Sequence, residues 1–173
     1  MRLQILGRVV AAATIMAALG ASGWLTAQSG VSTVLKPADV EKLLPATVYY
    51  CGQSAPVQIR NSGGVKFADG HYVLAGLVDT SGYSSGVAAK YQGYLIAEVP
   101  LKIGGKTLAA GAYGFGFVAD NKFIVTDLGG GDVLTAHSAT DEAMTRPRPL
   151  QVTLDAAGGY RLYVGRSYVQ FDR

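Results

Sequence analysis

Residues 111–123 read GAYGFGFVADNKF, and the way their glycines are interpreted decides the fold. Gly114, Gly116 and Ala119 spell G-x-G-x-x-A, the letter pattern of a dinucleotide-binding loop. Such a loop needs a strand before the glycines and a helix opening at them, because the helix N-terminus holds the pyrophosphate. Here the glycines alternate with aromatics instead. Ala112, Gly114 and Gly116 point one way under the period-two rule, and Tyr113, Phe115 and Phe117 point the other. Asp120-Asn121 then turns the chain into KFIVTDL, a second strand-like run. The stretch is therefore a β-strand with one aromatic face and one nearly bare face. Glycine weakens a strand interior, so two at alternate positions need a cause. Close packing of another element, a sharp bend, and a surface open to a ligand are the three available.

Working outward, the same period recurs. ATVYYC (residues 46–51) is rich in β-branched and aromatic residues, and PVQIR alternates Val57 and Ile59 with Gln58 and Arg60. NSGG (61–64) reads as a turn. Ala68-Asp69-Gly70 joins two strands through an Asp-Gly hairpin signal. TSGYSSGVAAKYQG (80–93) reads as a long polar connection. YLIAEVPLKI is a strand interrupted by Pro100, which a central ladder does not tolerate. VLTAHS, LQVTLD, GYRLYVG and SYVQFD add further strands around the irregular segment ATDEAMTRPRPL. About ten short strands at roughly ten-residue spacing predict an all-β fold, an antiparallel barrel or sandwich. The one helical signal is KPADVEKLLP, where Pro37 suits a first turn and Val40, Leu43 and Leu44 share a face.

Residues 1–27 have the form of a signal peptide: Arg2 and Arg8, the apolar run 9–19, then small residues. That run is about half the ~20 residues of a spanning helix, so no membrane span is expected after cleavage. Residues 28–45 are expected as a tether with the short helix, and residues 46–173 as the β domain. The expected location is secreted or periplasmic. The chain carries 15 basic and 12 acidic residues, and loss of Arg2 and Arg8 leaves 13 against 12. The remaining cations form no run, so the electrostatic footprint of a nucleic-acid binder is missing. Cys51, the single cysteine, permits no internal disulfide, and its strand-like setting predicts a buried, inert thiol.

The chemistry-bearing residues are few. His71 and His137 are the only histidines and neither sits in a zinc-ligand spacing, so neither a metal nor a cofactor is expected. Either His beside a carboxylate would be the minimum for an enzyme of unrecognised type. No G-x-S-x-G elbow is present, and SGYSSG lacks its spacing. Tyrosine is more suggestive. Tyr83 and Tyr91 lie in the long connection and Tyr94 follows it, and aromatics with a polar tip suit ligand mouths as well as sheet faces. The candidate ligand-binding residues are therefore Tyr83, Tyr91, Tyr94, Gly114 and Gly116. Arg146 and Arg148, set among Pro147 and Pro149, are candidates for a fixed anionic-ligand site or for a solvated loop.

The segment VPLKIGGKTLAAGAYGFGF resembles a G-K-x-L-x-A-G-x-Y hairpin found in uncharacterised secreted bacterial β-proteins, including a domain-of-unknown-function family. Ala109 stands where that family usually has Pro. LPATVYYCGQSAPVQIRNSGGVKFADG looks like small secreted proteins of the acidobacterial type. The resemblance covers a small part of the chain, and it implies a secreted β-domain and no catalytic residues. The resulting expectation is a non-enzymatic binding or envelope-associated module for a small apolar or aromatic ligand. Two alternatives stand beside it: an enzyme using His71 or His137 with a carboxylate, and a structural subunit assembling through a strand edge.

Overall fold

The structure, a computed structural model, describes residues 31–173, so the expected signal peptide lies outside the described residues. Period-two alternation is realised in fourteen strands, arranged in two antiparallel sheets that face each other as a sandwich. The larger sheet runs β1 (Thr33–Leu35), β3 (Gln53–Lys66), β4 (Tyr72–Val78), β5 (Gly93–Ala97), β8 (Gly111–Val118), β9 (Lys122–Thr126) and β10 (Asp132–His137), with β2 (Thr47–Tyr50) paired to the first part of β3. The smaller runs β12 (Arg148–Leu154), β13 (Tyr160–Gly165), β14 (Ser167–Asp172), β6 (Leu101–Ile103) and β7 (Lys106–Leu108), with β11 (Ala139–Thr140) against β14. The ladders do not close into a barrel.

The chain changes sheet where the sequence forbids a continuous ladder. Pro100 lies between β5 in one sheet and β6 in the other, so the expected single interrupted strand is two strands of different sheets. The expected turn at residues 61–64 does not form. β3 runs straight through it, and its register with β4 slips between Gln58 and Ser62, which throws Ile59, Arg60 and Asn61 out as a bulge. Gly63 and Gly64 serve close approach instead. A Cβ on Gly63 would lie 3.4 Å from the backbone nitrogen of Val152 in the other sheet, and one on Gly64 would overlap the Val73 carbonyl. The hairpin at residues 68–70 is as expected, with Phe67 and His71 closing it.

Two cores result. The inner faces of the sheets bury Val73, Ala75, Leu95, Phe115, Phe123, Val125, Leu162, Val169 and Phe171 between them. Each such side chain contributes about 1.5–3 kcal/mol of transfer free energy. A second, smaller core covers the outer face of the larger sheet. It is closed by α1 (Pro37–Val40), β2 and the 80–92 connection, and it buries Val40, Leu44, Val57, Leu74 and three tyrosines. The helical signal at residues 36–45 yields a single α-turn before non-helical turns take over at Glu41. The polar connection contains a helix that was not expected, α2 (Ser85–Lys90), whose N-cap Ser84 accepts a hydrogen bond from the Val87 amide.

Cys51 is not a strand residue. β2 ends at Tyr50, and Cys51-Gly52 forms the two-residue loop to β3, with φ of 47° and 79°. Two consecutive positive φ values mark a type I′ turn. The thiol is half-buried beside Gly130 rather than enclosed in the core.

Candidate functional site

The bare face of β8 is filled by protein. Tyr94, Gly114 and Thr126 lie side by side across β5, β8 and β9, on the outer face of the larger sheet. The Tyr91 ring stacks on Tyr50 with centroids 3.7 Å apart and planes within 13°. A Cβ on Gly114 would meet the Tyr50 ring at 2.6 Å, the Thr126 hydroxyl at 2.7 Å and the Tyr91 ring at 2.9 Å. A Cβ on Gly116 would overlap the carbonyl of Lys90 at the end of α2. Of the three causes open for the glycines, close packing is the one observed.

The three candidate tyrosines fall into two roles. Tyr83 lies edge-on to both Tyr50 and Tyr91 and donates from its hydroxyl to the carbonyls of Tyr50 and Gln53. It thus pins the connection onto β2 and β3. Tyr91 and Tyr94 are buried. Burial pushes the Tyr91 hydroxyl well up from the ordinary tyrosine range and raises that of Tyr94. Tyr91 carries the one buried side-chain polar atom among the described residues that lacks a hydrogen-bond partner. The candidate residues are therefore brought together, as one aromatic plug with Tyr50, whose part the sequence did not mark.

The inter-sheet core is also full. The apolar space between the sheets, lined by residues such as Leu95, Phe123 and Val169, has a volume of about 10 Å³, room for one water at most. His71 and His137 lie far from such enclosure. His71 Nδ1 is 3.0 Å from Asp69 Oδ2, and Arg173 reaches the same carboxylate; the His and Asp side chains are 50% and 38% exposed. Partial burial pushes the Asp69 carboxyl up, but the His71 amide, Arg173 and the His71 ring outweigh it and hold the group at about 2. A shallow depression of about 430 Å³ flanks this hairpin tip, lined by Asp69 and not by His71. His137 ends β10, exposed. Among the described residues no three of His, Cys, Asp and Glu converge on one point, and no helix is long and apolar enough to cross a membrane.

Another concavity of comparable size lies at a corner of the sandwich. It is a groove of about 380 Å³, within the usual range for small-ligand sites. One wall is residues 34–37, where β1 passes into α1. The floor is residues 60–62, the β3 bulge. The far wall is residues 148–153 of β12, the end strand of the smaller sheet. Bulges bend a strand and re-aim its side chains. Here Arg60 sits on the β3 bulge, and Arg148 sits beside a register slip between Arg148 and Leu150. Lys36 completes the set. Three cations and no acid line the groove. None of the three is in an ion pair among the described residues, whereas Lys90, Lys122, Arg161 and Arg173 each are. Arg148 is one of the two arginines that the proline-flanked sequence marked; Arg146 does not line the groove. Lys36 and Arg60 carried no mark, because only the bulge and the sandwich corner bring them to Arg148. No protein-family model, no curated protein and no solved structure matches this chain.

Proposed function

We propose that this chain is a non-enzymatic binding module of the secreted or periplasmic space, and that its ligand is an anionic group held in the groove between residues 34–37 and β12. The observation that carries this reading is the set Lys36, Arg60 and Arg148, brought to one groove from three elements with no acid in its lining. Unpaired cations of this kind attract anions and give orientation through charge-assisted hydrogen bonds. An apolar ligand would need a chamber, and about 10 Å³ between the sheets is no room for one. Export is supported by the form of residues 1–27.

The test is a thermal-shift panel of phosphate, citrate and short acidic peptides at low salt. Ligand binding to the folded state alone raises the melting point. The expected result is a rise for at least one anion that disappears in the Arg60→Gln, Arg148→Gln double variant. A melting point unmoved by every anion would overturn the proposal. A second reading, assembly through a strand edge, draws on Leu154 and Val133, which are 69% and 50% exposed on the end strands β12 and β10. Sedimentation velocity decides it, since a monomer at high concentration removes that reading.

A further inference from the structure

We propose that the groove at the sandwich corner takes a short acidic saccharide, a chain of hydroxyl-bearing rings that carries carboxylate or sulfate groups. This inference rests on the reading of the groove as an anion site. It narrows that reading to ligands that donate hydrogen bonds as well as carry negative charge.

Two sets of groups in the lining carry it. The first is Lys36, Arg60 and Arg148, all exposed and drawn from three separate segments of the chain. Asp39, three residues along from Lys36, directs its carboxylate to the Lys36 amide and is not part of the lining. Cations set apart on two walls and a floor match a ligand with more than one anionic group better than a compact ion, which is held by converging donors.

The second set is neutral. Asn61 and Gln151 are half-buried in the lining, and both side chains already use a donor within the protein. Gln58 Nε2 donates to the Val78 carbonyl at 3.4 Å, so its Oε1 is left to accept from Asn61 Nδ2 at 2.8 Å. Gln151 Nε2 donates to the Met144 sulfur at 3.5 Å, and a thioether can only accept. These contacts fix which way each amide is turned. Among the described residues no hydrogen bond reaches Asn61 Oδ1 or Gln151 Oε1. The groove thus offers positive charge to anions and, beside it, carbonyl oxygens that need donors. An inorganic anion brings only acceptors and leaves those oxygens unanswered.

Elimination narrows the donor. Ammonium and guanidinium groups are repelled by three cations with no acid in the lining. Peptide amides would arrive by strand addition, and β12 is closed to it. The Val152 nitrogen lies against Gly63, and Leu150 and Val152 are buried in the inter-sheet core. Single-stranded nucleic acid is gripped by aromatic stacking, and no aromatic side chain lines this groove. Hydroxyl groups remain. A sugar ring carries several, and a uronate or sulfate on the same ring supplies the charge. The volume of about 380 Å³ holds a short segment of such a chain.

The probes are a galacturonate trimer and a galactose trimer bearing one sulfate per ring. Each is titrated into the isotope-labelled mature protein at low salt and followed by backbone and side-chain amide shifts. The expected result is saturable shifts at residues 34–37, 60–62 and 148–151 with at least one acidic trimer, and movement of the Asn61 and Gln151 side-chain signals with them. Affinity should fall at least tenfold in Arg60→Gln and in Arg148→Gln, whose unchanged melting points would certify the fold. Neutral galactose trimer has the hydroxyls without the charge, and tricarballylate has carboxylates and no hydroxyl. Each should bind at least tenfold more weakly. Gln151→Met keeps the side chain's length and removes the acceptor, so it should weaken the acidic trimer severalfold and leave tricarballylate unchanged. Tricarballylate that matches or exceeds the acidic trimers overturns the saccharide and leaves the anion site standing. So does a Gln151→Met variant that binds them as the wild type does. A neutral trimer that binds as tightly overturns the charge argument. If neither the acidic trimers nor tricarballylate move the groove resonances, both readings fall together.

Discussion

The ring of Tyr91 lies flat against that of Tyr50, 3.7 Å away, and the pair covers the one position on β8 where a side chain would collide with both. The glycines of β8 are thus the floor of a second core. Gly114→Ala would put a methyl group into two ring edges and the Thr126 hydroxyl. Gly116→Ala would put one into the backbone of α2, which cannot yield by a rotamer change. We expect Gly116→Ala to cost about 3 kcal/mol and Gly114→Ala less, since rings can shift by a few tenths of an ångström. Urea denaturation measures both, and an unchanged midpoint for Gly116→Ala would refute close packing as the cause of the bare face.

Tyr91 makes an opposite prediction. Its hydroxyl is buried without a partner, whereas the Tyr50 hydroxyl is 2.7 Å from Thr126 Oγ1. Tyr91→Phe removes an unsatisfied group and should raise stability by about 1 kcal/mol. Tyr50→Phe strands Thr126, which is fully buried, and should cost about 1–3 kcal/mol. A loss of stability in Tyr91→Phe would mean that a polar partner reaches that hydroxyl in solution.

These residues also mark where sequence reasoning holds. The alternation of Ala112, Gly114 and Gly116 with Tyr113, Phe115 and Phe117 correctly assigned the two faces of β8, because the period of a strand is strict. Asp69-Gly70 was legible for a similar reason, since its turn chemistry is local. Residues 61–64 misled, because glycine serves both turns and close approach, and only the neighbouring β4 and β12 decide which. α2 escaped notice because it is short, with only Val87 and Ala88 partly buried; Ser84 ahead of it was the available signal. The groove was legible only at Arg148. Lys36, Arg60 and Arg148 are far apart in the chain, and a bulge has no period to betray it.

The turn at Cys51-Gly52 permits a gain. A type I′ turn favours Asn-Gly because Asn tolerates positive φ better than a residue such as Cys. Cys51→Asn should therefore stabilise the β2–β3 hairpin by a few tenths to about 1 kcal/mol. Gly52→Ala, at φ of 79°, should destabilise it. If Cys51→Asn instead lowers the melting point, the contact of the thiol with Gly130 outweighs the backbone preference.

Processing has a spectroscopic test. Cleavage after Ala27 removes Trp24, the only tryptophan, and leaves all ten tyrosines. The mature protein should then fluoresce as a tyrosine-only protein, with a tenfold excess of emission near the tyrosine band over any at longer wavelength. A tryptophan band from the exported protein would place the cut before Trp24.

Acid sensitivity should centre on Asp155, which is buried in the turn between β12 and β13. Its carboxylate accepts from Arg161 Nε at 2.7 Å, from the Ala157 amide at 3.0 Å and from Gln170. Arg161 is itself held over the Tyr168 ring, 4.5 Å from its centroid. The hydrogen bond from Arg161 first, then those from Ala157 and Gln170, hold the Asp155 carboxyl far below the usual carboxylate range. A group depressed in the folded state contributes stability above its unfolded value, and that contribution is lost as pH falls toward the folded one. The unfolded value is about 4, so the loss should begin as pH drops below that point. Asp155→Asn should be less stable than the wild type at pH 7, and the gap should narrow steadily between about pH 4 and pH 2. Melting points taken across that window check the sign, and parallel curves for the two proteins would exclude Asp155 as the origin of the acid response.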